Sequence, residues 1–221
     1  LALGVAPWLG ACLLVAAMAT VVLVAAPHWR EERAAGDAPM FAIPRGIVLL
    51  IGLLCFVAFL GEGVMLDWSA VFLNQVQGVP TGRAGLGFLV FSVAMTVTRL
   101  FGDRAVAWLG PQRAVLIGGA VAAAGLLLAT FASALPVALI GYALVGLGCA
   151  NIVPVLFTLA GNQKAMPESL AIPAVTTLGY AGVLAGPALV GFVAQLSSLV
   201  TAFVLVAIAL LLVGISARAV R

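Results

Sequence analysis

Charge is what this sequence has least of: 8% of its 221 residues are Asp, Glu, Lys or Arg, while 65% are hydrophobic. A soluble domain carries roughly a quarter charged residues, and no globular core could enclose so much apolar surface. A bilayer can, because a spanning helix needs roughly 20 mostly apolar residues. Cysteine is scarce too. Cys12, Cys55 and Cys149 each fall inside an apolar run, which leaves neither a disulfide framework nor a Cys/His metal cluster. The single lysine, Lys164, lies between apolar runs, so a retinal-type receptor with its intramembrane lysine is disfavoured even though the helix count would suit one. The single histidine, His28, lies in a polar linker and no HExxH occurs, which argues against an intramembrane enzyme. The formal charge of +3 comes from basic residues scattered singly, not from a stripe that would track nucleic acid. No metal, cofactor or nucleic-acid partner is expected; the partners are lipid and a small solute.

What is there is a series of long apolar runs. Seven candidate spanning helices lie near residues 5–26, 46–74, 84–101, 114–132, 136–160, 171–195 and 198–217. The longest polar break, His28 to Arg45, separates the first from the other six, giving an expected division into a helix at 1–26, a loop at 27–45 and a six-helix domain at 46–221. The chain opens at Leu1 with an apolar stretch too long for a signal peptide and without a basic leader, so it is expected to start inside a longer protein. Positive residues in short loops favour the cytoplasm. Arg30, Arg33, Arg45, Arg99, Arg104, Arg113, Lys164, Arg218 and Arg221 fall on one side and Arg83 on the other, which predicts a cytoplasmic linker and C-terminus.

Polarity separates the helices. The runs 114–132 and 198–217 hold almost nothing polar and are expected at the lipid-facing periphery. Glu62, Asp67, Ser69 and Asn74 in the second span, Tyr142 and Asn151 in the fifth, and Thr176, Thr177 and Tyr180 in the sixth are expected to line a shared polar cavity. Glu62 sits about 24 Å of helix rise from the start of its span, inside the bilayer. A carboxylate there costs about 2.5 kcal/mol or more to insert, so it is expected protonated, paired or facing water, as a proton-coupling or substrate-binding group or as a structural carboxyl between helices. Asp67 points about 140° away from it, which argues against an acid/base pair and allows either a site role or an outer cap. Pro154 clashes with the carbonyl of Ala150 and leaves an acceptor free beside Asn151, either as broken transporter helices do when they coordinate substrate or as an ordinary packing kink of the kind membrane helices tolerate. Thr176, Thr177 and Tyr180 share a face and could bond a hydroxylated ligand or a neighbouring helix. Gly61/Gly63 and Pro154 are expected to interrupt their helices. Gly141, Gly146, Gly148, Gly179, Gly182 and Gly186 indicate close packing.

The break RLFGDRAVAWLGPQR carries arranged charges. Asp103, after Gly102 and flanked by Arg99 and Arg104, is expected to cap a neighbouring helix and pair with the arginines as a latch, with Arg113 closing the turn. The stretch Arg99–Arg104, followed by Gly110 and Arg113, resembles the loop motif of the major facilitator superfamily. By that resemblance the spans are helices 6 to 12 of an all-α transporter bundle and His28 to Arg45 is the central loop. The first five helices are missing, and the fragment alone should not transport. Gly61-Glu62 with Trp68 resembles the fucose-permease-like group, whose members are typically proton-linked sugar permeases. ANIVPVLFTLAG and GYAGVLAGP look like a related uncharacterised branch of the bacterial inner membrane. The resemblance implies proton symport of a sugar-like solute through Glu62, with efflux of drugs or metabolites as the alternative.

Overall fold

A computed structural model describes residues 43–220 and, before them, Cys12, Val15, Ala16, Met18–Thr20, Leu23 and Val24. Two compact units result, Leu1–Asp37 and Ala38–Arg221. The described positions of the first unit are helical; the remainder of the expected span 5–26, and the linker positions His28, Arg30 and Arg33, lie outside the described residues.

The second unit is all-α, with no strand among the described residues. Its helices are α1 (Ile47–Gln75), the short α2 (Thr81–Ala84), α3 (Leu86–Leu109), α4 (Pro111–Phe131), α5 (Leu135–Cys149), α6 (Ile152–Asn162), α7 (Glu168–Leu196) and α8 (Leu199–Ser216), closed by a 3-10 turn at Ala217–Ala219. Taking α2 with α3 and α5 with α6, six helices are long and apolar enough to cross a membrane.

Two boundaries differ from those read in the sequence, and both matter for the site. The span expected at 84–101 continues to Leu109, because RLFGDR keeps helical geometry through its glycine. It stops at Gly110, whose φ of 80° is open to glycine without strain, and Pro111 then starts α4 with φ preset for a first turn. Arg99 therefore lies inside the helix and not at its end. Gly61 and Gly63 do not interrupt α1, which is continuous. They are contact points instead: a Cβ on Gly61 would meet Leu210 at 3.0 Å, and Gly63 faces Val183. The break at Pro154 is real and falls between α5 and α6, at Ala150 and Asn151.

Packing follows an exchange pattern. α1 lies along α7, α3 along α5, and α4 along α8. Exchanging the first three spans for the last three maps the first two pairs onto each other and the third onto itself, the pairing an inverted repeat produces. One contact departs from it: α4 also packs closely on α5, whereas its counterpart, α8 on α1, is slighter. Lipid tails are as apolar as leucine, so helix association here rests on close packing more than on water exclusion. Glycine permits it. A Cβ on Gly125 would lie 2.7 Å from the carbonyl of Gly141, and one on Gly118 2.6 Å from that of Gly148, so the antiparallel helices carry glycine pairs two turns apart. On its other side α4 meets α8, where a Cβ on Gly119 would stand 2.8 Å from the Cα of Gly214.

These contacts correct the expectation for 114–132. α4 is not simply peripheral: Gly119, Ala122, Gly125, Leu126 and Ala129 are buried, and its lipid-suited arc is Ile117, Leu127 and Leu128. The least buried spans are Thr81–Leu109 and Glu168–Leu196, which are also the least hydrophobic of the six. The core forms two clusters, one around Phe72, Tyr142 and Phe203, the other around Ile51, Ile152 and Leu156. The rings of Phe72 and Phe203 stack at 4.4 Å. α1 passes from the second cluster to the first between Ala58 and Leu60, next to Glu62.

Candidate functional site

Glu62 is the sixteenth residue of α1, about 22 Å from the start of that helix, and Arg99 lies about 15 Å from the opposite-running end of α3. Both are deep within their spans. The guanidinium closes the remaining difference: Arg99 Nη2 lies 3.6 Å from Glu62 Oε1, the one ion pair among the described residues. The Glu62 side chain is 19% exposed and that of Arg99 46%, so the pair is enclosed on the acid's side and open on the base's. Glu62 Oε1 has no hydrogen-bond partner among the described residues, so the pair is a charge contact rather than a bonded fork.

Arg99 holds a second partner. Its Nε donates to the carbonyl of Ala150 at 3.2 Å. That carbonyl is the one Pro154 cannot serve, since proline has no N–H to return to the residue four before it. The freed acceptor expected at the broken helix is thus filled by an arginine from α3. Three spans, α1, α3 and α5–α6, meet through one side chain. Cys149 is fully buried beside the break.

Glu62 opens into a groove of about 310 Å³ whose walls include Phe59 and Leu66 of α1, Phe88, Phe91, Ser92, Met95 and Thr96 of α3, and Val183 of α7. Ser92, Thr96 and Arg99 stand at i, i+4 and i+7, one face of α3 that turns toward Glu62. Tyr180 borders the same region: its ring stacks on Phe59 at 5.4 Å. The groove is therefore an aromatic and aliphatic slot with one acid, one base at its edge and two hydroxyls.

The other residues singled out in the sequence lie apart. Asp67 is exposed on α1. Asn74 holds the turn that follows α1, donating to the carbonyl of Val79 at 2.9 Å. Ser69 is buried and bonded to the Met65 carbonyl of its own helix. Thr176 and Thr177 likewise donate to the carbonyls of Ile172 and Pro173 four residues before them, so their protons are spent within α7. Tyr142 is fully buried in the larger core cluster, its hydroxyl without a partner among the described residues.

Asn151 faces a second cavity of about 280 Å³, with Asp103, Pro154 and Thr158 among its walls. Gly102 is buried directly beneath it, where a Cβ would collide with Asn151 Oδ1. The latch differs from its expected form. Asp103, Arg104 and Arg113 are exposed, and none makes an ion pair among the described residues, because Arg99 points along α3 to Glu62 instead of back to Asp103. Arg99 likewise drops out of the cytoplasmic tally of basic residues.

Sequence reasoning missed Arg99 as the partner of Glu62, and missed Ser92 and Thr96 as its neighbours. The signal was available in the Gly110-Pro111 stop: carrying the helix to that point places Arg99 inside the span and aligns it with both hydroxyls.

No protein-family model matches the chain. Among curated proteins it is 52% identical to an uncharacterized MFS-type transporter of Yersinia pestis, over 96% of this chain and 57% of that protein. It is 33% identical to an uncharacterized transporter of Sinorhizobium fredii, over 81% of this chain and 48% of that one. A further relative is the membrane protein MosC of Rhizobium meliloti, 32% identical over 67% of this chain and 36% of its own length. The chain spans about half the length of the curated relatives it matches, or less, as the C-terminal half of such a protein would. From this similarity and six apolar helices in an exchange-symmetric bundle, we conclude that the chain is part of a multi-pass membrane protein and belongs to the major facilitator superfamily.

Proposed function

We propose that this chain supplies one half of a secondary transporter that moves a small, hydroxyl-bearing solute of sugar-like character by alternating access, with Glu62 carrying the coupled proton. The observation that carries the reading is the position of Glu62: deep in the span, on the wall of a groove, held by one cation. An ionised Glu62 satisfies Arg99, and a proton on the carboxylate cancels that attraction, giving two arrangements of the same helices for the bundle to alternate between. Ser92 and Thr96 offer hydroxyls to a polar solute, while Phe59, Tyr180 and Phe88 offer flat apolar surface for a sugar ring. The missing half supplies the facing wall. In this reading residues 46–221 form one six-helix domain in the inner membrane, the C-terminus is cytoplasmic, and Asp103, Arg104 and Arg113 gate against the other half.

The test is solute uptake by the full-length protein. Glu62→Gln should abolish accumulation driven by a proton gradient while leaving solute counterflow, which needs no net proton movement, largely intact. Accumulation unchanged in that variant would remove Glu62 from coupling. The second reading is export of amphipathic drugs or metabolites, favoured by the number of aromatic and aliphatic side chains in the groove. Protection of cells from such compounds, with no sugar uptake, would select it.

A further inference from the structure

The carbonyl of Ala150 and the carboxylate of Glu62 belong to helices far apart in sequence, yet one guanidinium holds both. We infer that Arg99 is a positioning residue that couples the charge of Glu62 to the bend between α5 and α6. The inference rests on Glu62 being the proton-carrying group, and extends that reading to how the proton's arrival is felt elsewhere.

A helix broken at proline has lost the bond that would hold its two segments in line, so its angle is set by whatever else binds the freed carbonyl. Here that is Nε of Arg99, at 3.2 Å. The other end of the same planar group faces Glu62 at 3.6 Å. Guanidinium is rigid, so Nε and Nη2 cannot move independently. When a proton adds to the Glu62 carboxylate, forming a neutral O–H and leaving Arg99 charged, the anchor on Nη2 is gone. Arg99 is then free to follow the open side of the groove, and the Ala150 carbonyl loses its donor or moves with it.

Among the described residues no other charged group pairs with Glu62 or Arg99. α6, α7 and α8 bring no charged side chain to this level, α4 carries only the exposed Arg113 in its first turn, α5 brings only the Cys149 thiol and the Tyr142 hydroxyl, Asp103 and Arg104 of α3 are exposed beyond Arg99, and on α1 itself Asp67 is exposed further along. Gly102, one turn beyond Arg99 on α3, leaves room for Asn151, the residue after the tethered carbonyl, where a Cβ would collide with its Oδ1, so α3 meets the break at two successive points. A bend that changes at Ala150 is therefore transmitted to the segment of α3 that continues into Asp103 and Arg104.

The experiment uses the full-length protein in nanodiscs, with spin labels at Asn162→Cys on α6 and Leu128→Cys on α4, and follows the distance between them as pH is changed. In the otherwise unchanged protein the distance should shift on acidification, and Glu62→Gln should hold it at the acid value at every pH. Arg99→Lys keeps the charge opposite Glu62 but lacks the planar fork, and should abolish the pH response of the distance. Pro154→Ala restores an N–H to take back the Ala150 carbonyl, and should abolish it too with the Glu62–Arg99 pair intact; it carries the test should Arg99→Lys fail to fold. A pH response that survives in Arg99→Lys or in Pro154→Ala, or that is absent from the unaltered protein, overturns the inference. The failures separate: loss of the response in Glu62→Gln with its persistence in the other two variants sinks the coupling through Arg99 alone, whereas persistence in Glu62→Gln sinks the proton-carrying role of Glu62 as well.

Discussion

Removing one member of the Glu62–Arg99 pair should hurt more than removing both. At 3.6 Å, two unit charges interact by about 4–5 kcal/mol at the effective dielectric of about 20 that suits partly buried pairs. The Arg99 side chain is 46% exposed, so solvent screens the pair, and roughly half that energy, about 2 kcal/mol, is the coupling to expect. Arg99→Gln alone strands an acid that is 19% exposed beside two apolar clusters. Glu62→Gln alone leaves a cation with the Ala150 carbonyl still to bind, and should cost less. The double variant, with neither charge to desolvate, should be more stable than Arg99→Gln by itself. The assay is a double-mutant cycle on the unfolding of the purified full-length protein, repeated at low and high salt. Additivity to within about 0.5 kcal/mol would mean that the two groups do not sense each other, and the pairing on which the mechanism is built would be refuted.

Other outcomes follow from the same structure. Gly125→Ala should destabilise by about 1–3 kcal/mol, since its Cβ would meet Leu144, the Gly141 carbonyl and the Val145 nitrogen within 2.8 Å, whereas Gly82→Ala, with nothing within 4 Å, should be neutral or slightly stabilising in the same thermal assay. Tyr142→Phe should leave stability unchanged or raise it by up to about 1 kcal/mol, because the hydroxyl it removes is buried without a partner among the described residues. Thr96→Val should raise the KM for solute several-fold with little change in stability, while Thr177→Val, whose hydroxyl bonds its own helix, should leave uptake kinetics as they were.

How much of this was legible in the sequence depends on the kind of signal. Long apolar runs announce spans because the bilayer fixes their length, and the six helices of the second unit lie where those runs are, to within a few residues at most ends. Glu62 could be singled out because a lone acid in such a run has few explanations. Arg99 could not be placed, since a Gly-Asp-Arg string beside arginines looks like a turn, and a helix that runs on through it is decided by α5 packing against α3. Polarity alone did not separate Glu62 and Tyr180, at the groove, from the other polar residues of the spans, for a related reason. Asn74, Ser69, Thr176 and Thr177 can satisfy themselves on nearby backbone, so polarity alone does not say which side chains face a cavity and which fold back on their own helix. Glycines misled in the opposite sense: at Gly61 and Gly63 they are places of contact, not of breakage.

Mechanically, α4 holds α5 close along its length through Gly125–Gly141 and Gly118–Gly148, which leaves the break after Cys149 as the place where that span can bend. Beyond that break, α6 is a lever of 11 residues, about 16 Å long, hinged at Ala150–Asn151. A swing of only ten degrees or so carries its tip by about 3 Å, roughly the diameter of a water molecule. On the transport reading, such a pivot would have to slide Ile152 and Leu156 against Ile51 in the second core cluster, so the opening of one membrane face and the repacking of that cluster would be one event.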